Sequence, residues 1–169
     1  MNATKGFILC IALAGLVGCN ESHRSASITA PPPLQTLDSF VLVDSFGVDS
    51  EVSSHTPLEI DPYYYDGVFE IYWGVERGSQ YDFYLSVGPT ANINDSLTVY
   101  SESCGPGQYC GFTGGAICQY SADFTLGCAD QPAVDIYDIF VEVPQAMYLF
   151  AEACDRDGCS FRRLPVTMF

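Results

Sequence analysis

From residue 38 onward, apolar and polar residues alternate in short runs that turn residues interrupt about every 8 to 12 positions. Such alternation places every second side chain on one face of a strand, and no stretch shows the 3.6-residue period of an amphipathic helix. The pattern therefore predicts an all-β sandwich over residues 38–169. The predicted strands are Ser39–Phe46, Leu58–Ile60, Val68–Glu76, Tyr81–Val87, Leu97–Tyr100, Ile136–Val143, Met147–Cys154 and Cys159–Met168.

The runs at 68–76 and 81–87 alternate most clearly, and the turn sequence at 77–80 separates them. We therefore expect them to pair as one hairpin with a shared apolar face. Trp73 is the largest side chain of that face, and we expect it in the core rather than exposed as a platform for a ligand. The expected inward residues are Phe69, Ile71, Trp73 and Val75, then Tyr81, Phe83, Leu85 and Val87, and later Tyr137, Ile139, Val141 and Val143.

The first 18 residues differ from the rest of the chain. One positive charge, Lys5, precedes an apolar run at 6–15, and small residues then lead to Cys19. This is the layout of an export signal. The run is too short to span a bilayer as a helix, which needs about 20 apolar residues. We therefore exclude residues 1–18 from the folded domain.

Leu16-Val17-Gly18-Cys19 resembles the lipobox of bacterial lipoproteins. The resemblance implies cleavage before Cys19, thioether lipidation of Cys19 and acylation of the new amino terminus, since stable anchoring takes more than one acyl chain. The alternative is an ordinary signal peptide that happens to contain a cysteine. In such lipoproteins an Asp after the cysteine favours the inner membrane. Asn20 occupies that position here, so we expect a lipid-anchored protein of the bacterial cell envelope, at the outer membrane.

Residues 19–37 are rich in Ser, Ala, Thr and Pro and lack an apolar period, which predicts a tether between the lipid and the domain. The remaining length suffices for one domain. All 21 acidic residues lie beyond Cys19, against five arginines, so the mature net charge is 5 − 21 = −16. Such a field repels nucleic acid and anionic headgroups. We expect no nucleic-acid partner, and solubility or a salty habitat explains the acidity more simply than a cationic ligand.

Six cysteines remain once Cys10 leaves with the signal and Cys19 takes the lipid, and an even number in an exported protein implies disulfides. A bridge across the last hairpin, between Cys154 and Cys159, satisfies the Cα separation of about 5.5 Å that a disulfide needs. The other four leave two pairings open. A turn at Thr113-Gly114-Gly115 would pair Cys110 with Cys118 and Cys104 with Cys128, whereas sequential pairing joins Cys104 to Cys110 and Cys118 to Cys128.

The sequence gives only weak support for a zinc site or a calcium site. The cysteine spacing lacks the C-x2-C knuckles of structural zinc sites, and the chain has only two histidines, His23 and His55. Asp155-x-Asp157-Gly158 starts like a calcium loop, but the following residues do not supply the further oxygen ligands and the closing Glu. We therefore expect a polar hairpin turn there, and no metal or cofactor.

Residues 147–160, Met-Tyr-Leu-Phe-Ala-Glu-Ala-Cys-Asp-Arg-Asp-Gly-Cys-Ser, resemble the F strand and FG turn of fibronectin type III domains. Phe69-Glu-Ile-Tyr-Trp73 is similar to their B strand. The resemblance implies the sandwich of fibronectin type III and immunoglobulin domains. Met147 stands where that family has a tyrosine, and the cysteine-rich middle has no counterpart, so extra disulfide-stapled hairpins are expected. The chain has no Arg-Gly-Asp, and no ligand motif carries over.

Signatures of enzymes are missing from the sequence: there is no Gly-x-Ser-x-Gly, no His-Glu-x-x-His and no phosphate-binding glycine loop. We therefore expect no catalytic residues and a binding or structural role. A hydrolase that uses a carboxylate pair is an alternative, although among so many acids some pair reaches the required separation by chance.

Asp61-Pro62-Tyr63-Tyr64-Tyr65-Asp66 is the candidate binding surface. Three consecutive tyrosines cannot all face a core from one strand, so at least one is expected to be exposed. Aromatic rings flanked by carboxylates can stack on a sugar or contact a protein. A carbohydrate-binding module that uses Tyr63, Tyr64 and Tyr65 is therefore a further alternative, beside simple packing of the tyrosines at the edge of the sandwich. The expected partners are the membrane, through the lipid, and a protein or glycan of the envelope.

Overall fold

The computed structural model of the protein describes residues 37–51, 58–76, 80–103 and 113–169. The predicted signal peptide, the predicted lipidation site Cys19, most of the predicted tether, and Cys104 and Cys110 lie outside these described residues. The described segments belong to one unit of the chain, Pro32–Phe169.

The described residues form two five-stranded sheets and no α-helix, so the all-β prediction is confirmed. The first sheet has the order β1-β3-β6-β7-β8 and the second has the order β2-β10-β9-β4-β5. Neighbouring strands are antiparallel except β2 and β10, which are parallel. The strands are β1 Leu37–Val43, β2 Leu58–Ile60, β3 Val68–Val75, β4 Asp82–Gly88, β5 Leu97–Ser103, β6 Thr113–Tyr120, β7 Thr125–Cys128, β8 Val134–Asp135, β9 Gln145–Asp155 and β10 Gly158–Met168.

The core lies between the two sheets, and Trp73 is at its centre. Its ring stacks on Phe83 of the other sheet with a centroid separation of 3.8 Å and an interplanar angle of 8°. The indole N–H donates to the Tyr81 hydroxyl at 3.3 Å, so its polar atom is satisfied. Trp73 is 2% exposed, which confirms the prediction that it is a core residue.

The expected hairpin between the runs at 68–76 and 81–87 was wrong. β3 pairs with β1 and β6, whereas β4 pairs with β5 and β9 in the opposite sheet. The apolar faces were assigned correctly, because both face the same core. Alternation shows which face of a strand is buried but not which strand lies beside it.

The expected turn at Thr113-Gly114-Gly115 was also wrong, because these residues begin β6. The glycines have a packing role. A Cβ on Gly114 would lie 2.3 Å from the Trp73 ring, and one on Gly115 would lie 2.9 Å from the Tyr72 ring. Close approach of two aromatic rings, rather than chain reversal, therefore requires residues without side chains here.

The expected strand at 136–143 was a third error. The segment contains a 3₁₀ turn at Tyr137–Ile139, and β8 is a two-residue strand just before it. Tyr137, Val141 and Val143 are exposed instead of facing the core, whereas Ile139 is partly buried. Smaller differences occur at the first strand, which starts at Leu37 instead of Ser39 and ends at Val43 instead of Phe46.

Two disulfides lie within the described residues. Cys154 and Cys159 face each other across the β9–β10 hairpin, as predicted. Cys118 pairs with Cys128 across β6 and β7, which agrees with the sequential pairing and excludes both Cys110–Cys118 and Cys104–Cys128. Cys118 and Cys128 are buried in the core, whereas Cys159 is exposed.

Side chains also bond the outer backbone of two edge strands. The Gln131 amide donates to the carbonyl of Ser101 on β5 and accepts from its N–H at 3.3 Å. On β1, the N–H of Leu37 donates to Ser160 Oγ at 2.9 Å, and its carbonyl accepts from Arg162 Nε at 2.7 Å. Both sets of hydrogen bonds join one sheet to the other. Gln131 follows β7 of the first sheet and bonds to β5 of the second, whereas Ser160 and Arg162 lie on β10 of the second sheet and bond to β1 of the first.

Candidate functional site

The strand register gives the two ends of the sandwich different loops. Leu37 pairs with Val75, so the chain enters β1 at the end where β3 finishes; we call this end the base, and it also holds the β9–β10 turn. Val43 pairs with Glu70, near the start of β3, at the opposite end. That end, which we call the tip, holds the loops 44–49, 61–67, 89–96, 121–124 and 136–144.

Exposed apolar side chains are concentrated at the tip. Of the twelve large apolar side chains that are exposed among the described residues, eight lie on three of these loops. Tyr63 is 84% exposed, Tyr65 74% and Val141 92%. Single exposed apolar residues are ordinary, but a contiguous group marks an interaction site. The eight are Phe46, Val48, Tyr63, Tyr64, Tyr65, Tyr137, Val141 and Val143.

The loop 44–49 is organised by the buried carboxylate of Asp44. Its Oδ1 accepts the N–H groups of Phe46 at 2.9 Å and Val48 at 2.8 Å, and its Oδ2 accepts that of Glu59 at 3.0 Å. Gly47 completes the turn with a φ of 77°, which favours glycine. Asp44 thus uses its charge to hold the backbone, and the turn projects Phe46 outward.

The tyrosine loop is held by hydrogen bonds and by an unusual backbone. The N–H of Tyr63 donates to Asp61 Oδ1 at 2.9 Å, and the Gln119 side chain donates to the carbonyl of Asp66 at 3.0 Å. Tyr65, Asp66 and Gly67 have consecutive positive φ values of 46°, 54° and 70°. A Cβ at Gly67 would lie 1.9 Å from the Tyr120 carbonyl oxygen, so only glycine fits against β6 at that position.

The two loops meet through their aromatic rings. Phe46 stacks on Tyr64 with centroids 4.0 Å apart and an interplanar angle of 20°. Tyr64 also meets Tyr65 edge-on, with centroids 5.0 Å apart. Tyr64 therefore supports both neighbours. Tyr63 is also exposed, and it does not line the groove described next.

Phe46 and Tyr65 both line an open groove of about 430 Å³. Val43, Val68 and Glu70 of the first sheet also line it. Tyr72 donates its hydroxyl to Glu70, and that hydrogen bond is the largest cause of the raised pKa of Tyr72. The volume lies within the range of small-molecule sites, about 300–1,000 Å³.

A second aromatic cluster supports the loop 136–144. The Phe124 ring meets Tyr137 and Phe140 at 5.3 and 5.1 Å, and Phe140 stacks parallel to Tyr120 at 6.2 Å. Tyr120 is almost fully buried, and burial, with a smaller contribution from Tyr63, raises its pKa to about 12. The cluster anchors the loop so that Val141 projects into solvent.

The three apolar loops of the tip, 44–49, 61–67 and 136–144, are acidic and contain no Lys, Arg or His. They carry Asp44, Asp49, Asp61, Asp66, Asp138 and Glu142. An anionic ligand would meet repulsion there, so the surface suits an uncharged or cationic one.

The other predicted chemistry lies at the base. Asp155 Oδ1 accepts the N–H groups of Asp157 at 2.7 Å and Gly158 at 3.2 Å, the hydrogen bonding of a polar turn. Glu152, Cys154 and Cys159 bring potential metal-ligand atoms within 4.8 Å of one another, but both sulfurs are joined in the disulfide. Burial raises the pKa of the Glu152 carboxyl.

Sequence reasoning found part of the tip. It identified Tyr63, Tyr64 and Tyr65 as exposed candidates, but it placed Phe46 at a strand end and Tyr137, Val141 and Val143 on an inward face. Asp44-Ser45-Phe46-Gly47 carried a usable signal, since an Asp followed by a Gly three residues later is typical of a turn. No comparable signal separates Val141 from a strand residue.

Comparison of the chain with protein-family models, with curated proteins and with solved structures found no match. Within the described part of the chain, none of the helical segments has the length and apolar character required to cross a bilayer.

Proposed function

We propose that this protein is a lipid-anchored, non-catalytic binding protein of the bacterial cell envelope, held at the outer membrane through Cys19. The observation that supports the proposal best is the difference between the two ends of the domain. The predicted tether joins the domain at Leu37, at the base, whereas the exposed aromatic and aliphatic side chains lie at the tip. An anchored domain of this kind would present its apolar surface away from its own membrane.

We further assign the domain to the fibronectin type III and immunoglobulin-like sandwiches. The strand order supports this assignment: β1, β3 and β6 correspond to A, B and E, and β10, β9, β4 and β5 correspond to G, F, C and C′. β7 and β8 extend the first sheet, and the Cys118–Cys128 bridge ties β7 to β6. The fold itself implies no ligand, so the function rests on the tip.

The anchor is tested by expressing the full chain in a Gram-negative host and measuring the intact mass of the membrane-bound product. We expect an acylated Cys19 as the first residue, and release of the protein from the membrane fraction on Cys19→Ala. A signal-cleaved protein without a lipid would contradict the proposal.

The binding role is tested in cells with a photo-crosslinking residue. p-Benzoylphenylalanine in place of Tyr65 is expected to yield covalent adducts with an envelope component. The same residue in place of Phe161, which is half exposed on β10 away from the tip, is the matched control. Equal labelling from both positions, or none from Tyr65, would contradict a specific role of the tip.

A further inference from the structure

We infer that the groove between Phe46 and Tyr65 binds an uncharged glycan whose pyranose rings have equatorial substituents. The inference rests on the proposed function, since it names the ligand of the same tip. It also reduces the candidate surface: Phe46 and Tyr65 contact the sugar, Tyr64 supports both rings, and Tyr63 stays outside the groove.

The first reason is the state of the two rings. Tyr65 is 74% exposed and Phe46 is 41% exposed. Tyr65 is nevertheless held by its edge-on contact with Tyr64, and Phe46 is held by stacking on the same ring. Fixed rings lose little conformational entropy when a ligand binds. A pyranose with equatorial hydroxyls presents axial C–H bonds on its faces, and these match the electron-rich face of an aromatic ring.

The second reason is the polar lining. Carboxylates accept hydrogen bonds and cannot donate them when ionised, and sugar hydroxyls can donate. Glu70 lines the groove and accepts one hydrogen bond from Tyr72, which leaves it further acceptor capacity. Among the residues that the structure describes, no Lys, Arg or His lines the groove, so a phosphate, a sulfate or an acidic sugar would find no counter-charge among them.

The open shape of the groove also suits a glycan chain. The groove is open and lies against the outer side of the first sheet, where Val68 also borders a second hollow lined by Ile117 and Gln119. An extended chain could therefore continue past Val68 beyond the sugar that contacts Tyr65. This arrangement suits an internal segment of a polysaccharide as well as its end.

The test is calorimetric titration of the full-length lipoprotein, in a zwitterionic detergent without a sugar headgroup, with tetramers of β-1,4-linked N-acetylglucosamine and of β-1,4-linked glucose. We expect at least one tetramer to bind, and an acidic galacturonate tetramer not to bind. Phe46→Ala and Tyr65→Ala are each expected to weaken binding about tenfold, because aromatic contacts contribute up to about 1.5 kcal/mol.

Tyr65→Phe and Tyr63→Ala are the matched controls, and both are expected to bind within about threefold of the natural protein. The first keeps the stacking ring, and the second removes a neighbouring exposed tyrosine outside the groove. Far-ultraviolet circular dichroism of each variant checks that it folds. No binding of either tetramer at millimolar concentration, or equal binding by Tyr65→Ala, would overturn the inference.

The two proposals fail separately. If Tyr65 crosslinks specifically in cells while neither tetramer binds, the tip is a binding surface for another ligand and only the glycan inference is wrong. If crosslinking and titration both fail, the proposed binding role falls as well.

Discussion

The base and the tip of this sandwich differ in how they use their side chains. At the base, the Cys154–Cys159 bridge closes the last hairpin, the Asp155 carboxylate caps its turn, and Ser160 and Arg162 bond the backbone of Leu37. At the tip, the polar groups are mostly carboxylates that shape loops, and large apolar side chains point into solvent. The contacts at the base therefore hold the two sheets together. The exposed apolar side chains at the tip do not stabilise the fold.

This contrast indicates a division between stability and binding. Burying an aromatic side chain contributes about 1.5–3 kcal/mol, so exposing several at one end is unfavourable unless a partner covers them. Substitutions in the core and in the loop frameworks should therefore change the free energy of unfolding. Substitutions of the exposed rings should change binding alone.

The largest expected effect is in the core. Trp73→Ala should lower the free energy of unfolding by about 4 kcal/mol, because it removes the stack on Phe83 and leaves a cavity between the sheets. Urea denaturation followed by circular dichroism measures the change. A loss below about 1 kcal/mol would contradict the central position of this ring.

Asp44→Ala should cost about 3 kcal/mol, since three backbone N–H groups lose a charged acceptor in a buried turn. The same change should weaken glycan binding, because the turn positions Phe46. Asp44→Asn is the control: its side-chain oxygen can still accept from Phe46 and Val48, and only the bond from Glu59 is lost. Equal losses for the two variants would show that the turn does not depend on these bonds.

Removal of the base disulfide by the double change Cys154→Ala and Cys159→Ala should cost about 2 kcal/mol, the loop-closure value for a short loop. Binding by the tip should stay unchanged. Brief treatment with a mild reductant should also open Cys154–Cys159 before Cys118–Cys128, since Cys159 is exposed and the second pair is buried. Mass spectrometry after alkylation checks the order, and simultaneous opening would contradict it.

Alkali should destabilise the fold through Tyr100 and Tyr120. Burial raises the pKa of each from 10.0 to about 12, so between these values the folded protein keeps a proton that the unfolded chain has released. Stability must then fall as pH rises from about 10 to about 12. The free energy of unfolding is measured by urea denaturation at several pH values. Tyr120→Phe should reduce its decrease with rising pH, whereas Tyr63→Phe should leave most of that decrease unchanged.

The smallest expected effect separates the tip from the rest. Tyr65→Ala should change the free energy of unfolding by no more than about 0.5 kcal/mol, the range of surface substitutions, while it abolishes most binding. Thermal denaturation of the variant beside the natural protein provides the measurement. A loss of stability comparable with that of Asp44→Ala would show that Tyr65 stabilises the fold by packing. The claim that the exposed rings of the tip serve binding alone would then be wrong.

The sequence alone determined the strand class, most strand faces, the burial of Trp73, the Cys154–Cys159 hairpin and the exposure of at least one residue among Tyr63, Tyr64 and Tyr65. These features are local: an alternating run shows its own buried face, and two cysteines five residues apart around a turn have little choice of partner. The lipobox and the tether remain predictions of the same local kind.

Only the tertiary structure decided which strands are neighbours and which loops share an end. The sequence could not show that β3 and β4 lie in opposite sheets, because both present an apolar face to one core. It misread Gly114 and Gly115 as a turn, because the rings that require them come from β3, about 40 residues earlier. Phe46 and Tyr65 become one site for the same reason: their contact through Tyr64 depends on packing between distant segments, which a local pattern does not encode.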